Sequence, residues 1–180
     1  MSSPNGLIKL VYLGGFLGTF FFSAVSGALT EGVGGDVGEI GGLIARVMAV
    51  PCMLAWALSV PWWIWDAWSS VPEAYREAPL LGRIGSPVAV IALFFVPCFN
   101  LVWVFLANLG LTESINRALA AQGSTTRVST ALVICACVLH VVPYCNLLFG
   151  PPLWFAVMYV IDQARKDLTT VDAELIARVF

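Results

Sequence analysis

The stretch LVYLGGFLGTFFFSAVSGAL, residues 10–29, runs for twenty positions without a charged side chain. About 20 apolar residues, rising ~1.5 Å each, are what an α-helix needs to cross a hydrocarbon core of ~30 Å. The fold turns on whether this run stands alone, and it does not. Val47–Ile64 is a second such segment, with Arg46 and Asp66 marking its ends. Pro87–Leu111 is a third. Thr130–Ile161 is a fourth, in which His140 is the one basic side chain and no Asp or Glu occurs. The four segments, 10–29, 47–64, 87–111 and 130–161, predict an all-α integral membrane protein, with residues 1–180 as a single membrane domain.

Composition agrees. Hydrophobic residues make up 59% of the chain and charged residues 11%, against about a quarter charged in ordinary soluble domains. So few charges leave no means of covering a free soluble monomer with water-compatible surface. The formal net charge of −2 removes the basic footprint that nucleic acid requires. Lys9 before an apolar run, and the small-x-small triplet Ala24-Val25-Ser26, imitate a secretory leader. The run is long for a leader's apolar region, so the first segment is expected to be retained.

Helix punctuation refines the segments. Ser86 is placed to cap the third, with Pro87 at its first position, where a missing N–H costs nothing. Ser129 or Thr130 does the same for the fourth. At ~1.5 Å per residue the fourth segment would be ~48 Å long as one helix, so it is expected to break near Pro143, Gly150, Pro151 and Pro152. The stretch Thr30–Gly42, TEGVGGDVGEIGG, reads as a flexible acidic loop. Residues 170–180 read as a short amphipathic helix, with Val171, Leu175, Val179 and Phe180 on one face and an i,i+4 pair of Glu174 with Arg178 on the other.

Basic residues orient such a chain, because short cytoplasmic loops collect them. With four full crossings, Lys9, Arg76, Arg83, Arg165, Lys166 and Arg178 share one side, and Arg46, Arg117 and Arg127 the other. If the third and fourth segments enter and return as broken hairpins, Arg117 and Arg127 join the majority. Both arrangements put the termini in the cytoplasm. Charge favours hairpins, while the length of the third segment favours a single crossing, and the two stay open.

The third and fourth segments share a motif. Val96-Pro-Cys-Phe-Asn-Leu101 recurs 46 residues later as Val142-Pro-Tyr-Cys-Asn-Leu147. Proline deletes a backbone donor and frees the carbonyl four residues earlier, a group that lipid cannot satisfy. Asn100 and Asn146 are thus expected to serve the broken backbone at Pro97 and Pro143. The other reading is a polar notch for a small ligand or a proton. Repeats of this kind often place binding sites at their interface.

The stretch FFVPCFNLVW, residues 94–103, followed by LGLTESIN, residues 109–116, resembles a recurring stretch of small uncharacterised bacterial multi-pass membrane proteins. They carry a Pro-aromatic-aromatic-Asn-Leu-x-Trp step and then a Gly-Leu…Asn exit. The likeness covers residues 87–120 and, more loosely, the second repeat. Cys98 stands where the family has an aromatic residue. The resemblance implies a bacterial inner-membrane protein and carries no activity with it.

The remaining features concern packing. Gly15, Thr19, Ser23 and Gly27 recur every four residues, with Gly14 and Gly18 beside them, the small-xxx-small pattern that lets membrane helices approach closely. The partner is expected to be this chain's second helix, through Ala45 and Ala49 or Ala55 and Ser59, or else another protein. Trp62, Trp63, Trp65 and Trp68 read as an interfacial belt. His140 is an intramembrane ionisable group and so a candidate ligand to a haem or other pigment. The simpler reading is a neutral imidazole bonded to a carbonyl freed by Pro143. Five cysteines, Cys52, Cys98, Cys135, Cys137 and Cys145, all lie in apolar segments and read as packed thiols, with no metal site expected. No Walker loop, HExxH, GxSxG or dinucleotide fingerprint occurs, and the apolar segments hold no carboxylate. The expectation is a non-catalytic membrane subunit that packs against partner membrane proteins, lipids or hydrophobic cofactors, with no cofactor required by the sequence. The alternatives are a small transporter using Asn100, Asn108, His140 and Asn146, and a pigment- or haem-binding subunit through His140.

Overall fold

The computed structural model describes residues 4–79, 82–84, 86–142, 145–146 and 149–179, with side chains from Gly6 to Leu168. Among these residues the fold is all-α apart from one two-residue ladder. Six α-helices are found among the described residues: α1 (Pro4–Ala28), α2 (Gly35–Ser70), α3 (Pro87–Phe94), α4 (Phe99–Ala121), α5 (Thr130–Val141) and α6 (Gly150–Val179). Strands β1 (Glu77–Ala78) and β2 (Gly82–Arg83) pair antiparallel. The chain divides into two compact units, 1–62 and 63–180.

The first unit is a helical hairpin. A π-helical turn, Leu29–Val33, continues α1, and Gly34 and Gly35, both with φ near +60°, reverse the chain. The expected loop over 30–42 is therefore helical for most of its length. Its glycines serve close approach instead: a Cβ on Gly38 would lie 2.6 Å from the Leu29 carbonyl oxygen, and one on Gly42 would strike the Thr30 methyl. The second segment accordingly runs for 36 residues rather than 18, with Pro51 and Pro61 inside it.

Among the described residues, two helices are long and apolar enough to cross a membrane, Gly6–Val33 and Gly35–Ser70. For the third and fourth segments, where crossings and broken hairpins both stood open, the helices are broken as expected and no long apolar helix is found among the described residues. The 25-residue apolar run at 87–111 is cut at residues 95–98, which leaves α3 with 8 residues, ~12 Å long. Its continuation α4 runs on through Glu113 and Arg117 and buries Trp103, Ala107, Leu111, Ile115 and Leu119. The run at 130–161 is likewise cut after Val141, so α5 spans 12 residues, ~18 Å. Both cuts fall beside the prolines where the sequence expects them. The expected short tail at 170–180 is corrected, since α6 continues unbroken from Gly150 to Val179. Its amphipathic face, Pro143 and Phe180 lie outside the residues or side chains described.

The second unit is built on antiparallel contacts. Trp103 Nε1 donates to the Val90 carbonyl at 2.7 Å, so α3 folds back on α4. Asn116 closes the α4–α5 connection by acting as a strand would: its Nδ2 donates to the Val128 carbonyl at 3.0 Å and its Oδ1 accepts from the Val128 N–H at 2.8 Å. Val128 is buried, so Asn116→Ala leaves two backbone groups unmet and should cost about 1–3 kcal/mol, read as a lower thermal midpoint. Trp154 Nε1 donates to His140 Nδ1 at 3.4 Å and Thr126 Oγ1 to Asp167 at 2.6 Å, which sets α6 antiparallel to α5. β1 lies across α4, where Ser114 Oγ both accepts from the Glu77 N–H and donates to its carbonyl. Gly110 leaves room there for Ala78 and Pro79.

The first break is a γ-turn. Cys98 has φ 62° and ψ −36°, and the Phe99 N–H donates to the Pro97 carbonyl at 2.7 Å across it. This region is strained for a residue with a Cβ and open to glycine. Cys98→Gly should therefore stabilise the protein by about 1 kcal/mol, seen as a higher unfolding midpoint.

Candidate functional site

The densest polar cluster of the second unit centres on Arg165. One turn earlier on α6 lies Asp162, and the last two turns of α2 bring Trp63, Asp66 and Ser70 alongside. Arg165 Nε donates to Ser70 Oγ at 2.6 Å, its NH1 to Asp162 Oδ1 at 3.0 Å, and its NH2 to the Asp66 carboxylate at 2.8 Å and the Asp66 carbonyl at 3.0 Å. Trp63 Nε1 donates to Asp162 Oδ1 at 3.2 Å. The Arg165 and Asp162 side chains are 9% and 2% exposed, that of Asp66 27%. All three guanidinium nitrogens are thus engaged by the protein's own oxygens. The cluster does what a clamp does: it pins the end of α2 to α6.

Sequence reading marks Asp66 only as the end of the second segment, and so misses this cluster. The i,i+3 pair of Asp162 with Arg165 was visible. That it would meet Asp66 and Ser70, almost a hundred residues away, was not.

His140 sits with Trp154 and Asn146 at the α5–α6 turn. Its Nδ1 accepts from Trp154, the two rings meet edge to face, and the Asn146 side chain bonds it as well. The imidazole is thus partnered by an indole and an amide; the expected bond to a carbonyl freed by Pro143 turns on a residue outside those described. Asn146 also reaches over Gly150 at the start of α6, where a Cβ would collide with its Oδ1. Asn100 does not cap α4. Its side chain is exposed, and the N-cap position belongs to Cys98. Asn108 is buried in α4 and donates to the Val104 carbonyl of the preceding turn. Of the residues expected to form a shared polar notch, the structure thus brings together His140 and Asn146 only. Where α4 and α5 do enclose an open groove, of about 420 Å³, its walls are apolar.

The expected packing stripe is used in part. Gly15 and Gly18 face α2, where a Cβ on Gly15 would stand 2.7 Å from both the Cys52 carbonyl oxygen and the Trp56 nitrogen, and one on Gly18 2.7 Å from Cys52 Sγ. Thr19 Oγ1 donates to the Gly15 carbonyl of its own helix. Gly14 and Ser23 are exposed and Gly27 faces open space. A four-residue step overshoots one helical turn by ~40°, so a stripe repeating every four residues drifts out of a contact. The actual seam alternates steps of four and three through Ile8, Tyr12, Gly15, Thr19, Phe22 and Ser26. It meets Gly42, Cys52 and Trp56. At its far end Ser26 Oγ donates to the Gly42 carbonyl and accepts from Arg46 Nε, each at 3.0 Å.

The tryptophans divide. Trp62 and Trp65 are exposed, whereas Trp63 and Trp68 are fully buried in the second unit. Among the described residues no three His, Cys, Asp or Glu side chains are grouped so as to hold a metal ion. No family model, curated protein or solved structure matches the chain.

Proposed function

We propose that this chain is a non-catalytic integral membrane subunit, anchored by the α1–α2 hairpin, that packs against lipids and neighbouring membrane proteins. One observation carries the reading. The most apolar windows of the two long helices are only 17% and 11% buried within the protein. Leu10, Leu17, Phe21, Leu43, Val47, Leu54 and Leu58 all face outward. A core helix of a water-soluble protein would have these side chains covered. At roughly 25 cal/mol per Å² of apolar surface removed from water, a continuous outward face of this kind calls for lipid or other helices.

The polar groups support the non-catalytic half of the proposal. Arg165, Asp162, Asp66, Asn116 and Ser114 are consumed by internal bonds, and the groove between α4 and α5 offers no polar group to a substrate. The distribution of Lys and Arg favours both termini on the cytoplasmic side, and the resemblance of residues 87–120 favours a bacterial inner membrane. The test is extraction followed by capture. The protein should stay in the membrane fraction through alkaline carbonate and, after mild detergent, migrate with companion membrane proteins. Release by carbonate removes the membrane reading, and recovery only as a lone monomer removes the subunit.

A further inference from the structure

Within the second unit, charge and apolar surface are sorted to opposite ends. Cys137 Sγ meets the Val104 carbonyl and Val128 pairs with Asn116, so α5 runs antiparallel to α4. Trp154 meets His140 and Thr126 meets Asp167, so α6 runs antiparallel to α5 and parallel to α4. The α3–α4 and α5–α6 turns therefore lie at one end. At the other end stand Glu77 with Arg117 in an exposed ion pair, Arg127, Asp167 and the Arg165 clamp.

The turn end carries no charged side chain among the described residues and, apart from the exposed Asn100 amide, is apolar and uncovered. Phe95 is 69% exposed and Phe149 56%, with Val96, Leu101, Val102, Val138 and Val142 also open. The groove between the turns is lined by Leu101, Val102, Phe105, Val138, Val141 and Val142, with no polar surface. In the first turn the N–H groups of Phe95, Val96, Phe99 and Asn100 have carbonyl partners, which lowers the cost of placing this backbone in an apolar medium. At the second turn, among the described residues, the Asn146 N–H bonds the Val142 carbonyl and the Phe149 N–H the Cys145 carbonyl.

Depth identifies what covers this end. From Phe99 to Glu113, the first charge on α4, the helix rises ~21 Å, and from Gly150 to Asp162 on α6 it rises ~18 Å. A hydrocarbon core is ~30 Å thick and a whole bilayer ~40–45 Å. Half of the whole bilayer is ~20–22 Å, the thickness of one leaflet with its headgroups. The charge-free layer thus fits one leaflet and falls short of two, and α3 and α5 are too short to cross by themselves. We infer that the second unit is a re-entrant wedge: the α3–α4 and α5–α6 hairpins dip their turns into one leaflet of the bilayer and return to the side they entered from. This rests on the membrane reading above and adds to it that the third and fourth segments do not cross.

The test places single cysteines in the full-length chain, in membrane vesicles of known sidedness, with the five native cysteines replaced by alanine. Glu73→Cys precedes α3, and Thr125→Cys lies between α4 and α5; both positions are exposed. The wedge predicts that a membrane-impermeant maleimide labels both from the same face. A third variant keeps Cys98 alone. It should escape the impermeant reagent from either face and react once detergent replaces the bilayer. Labelling of Glu73→Cys and Thr125→Cys from opposite faces would show full crossings and overturn the wedge, with the membrane reading intact. Labelling of Cys98 in sealed vesicles would place the turns in water and also overturn it. Release of the chain by alkaline carbonate would instead remove the membrane reading beneath it.

Discussion

Gly15→Ala should lower the stability of the α1–α2 hairpin by about 1–3 kcal/mol, at the level of an overpacked core, and Gly15→Leu should prevent the hairpin from closing. The reason lies in what the new methyl meets. Its neighbours at 2.7 Å are the Cys52 carbonyl oxygen and the Trp56 nitrogen. Both belong to backbone, so no rotamer change relieves the overlap and the helices themselves must separate. The neighbouring Gly14→Ala is the control. Nothing lies within 4 Å of a Cβ there, and alanine favours a helix over glycine by up to about 1 kcal/mol, so this variant should be neutral or more stable. Thermal unfolding in detergent, followed by tryptophan emission because Trp56 sits at the contact, reads both. Equal destabilisation by the two substitutions would remove Gly15 from the interface.

Arg165→Met should be the most damaging polar substitution, at about 3–5 kcal/mol. It leaves Asp162, whose side chain is 2% exposed, without the guanidinium beside it, and it deprives Ser70 and Asp66 of their common donor. A buried charge left uncompensated costs more than the ion pair contributed, because desolvation remains while the attraction is lost. The double substitution Asp162→Leu with Arg165→Met removes the charge as well. It should recover most of the loss, with a residual cost from the Trp63 indole N–H that then lacks its acceptor. A double variant as unstable as the single one would show that the cluster acts by shape rather than by charge. The exposed pair of Glu77 with Arg117 is the contrast, since both partners are nearly half exposed and such pairs contribute at most about 1 kcal/mol.

The parts of this fold that were legible beforehand are those that a single helix decides. Ser86 and Ser129 cap α3 and α5 as expected, each accepting a backbone N–H. The chain breaks beside Pro97, where the missing donor is followed by Cys98 at positive φ, whereas Pro51 and Pro61 lie inside α2 without ending it. The close approach at Gly15 and Gly18 follows from missing side chains. Other features depended on which residues come together. The glycines of 32–42 read as a loop because glycine is a weak helix former; here several of them serve packing, Gly38 and Gly42 against the end of α1. Trp63 and Trp68 read as membrane anchors because four tryptophans cluster, yet two of them turn inward.

By itself the sequence determined that the chain is helical and poor in charge, where two of its segments break, and that two long apolar helices lead it. Those properties are sums over neighbouring residues, and local chemistry settles them. Only the tertiary structure decided that the third and fourth segments fold into short hairpins and that their charges collect at the end away from the turns. It also decided that Asp66, Ser70, Asp162 and Arg165 form one clamp. Each of these depends on contacts between residues far apart in the chain, where the energy of a pairing exists only once the helices have packed.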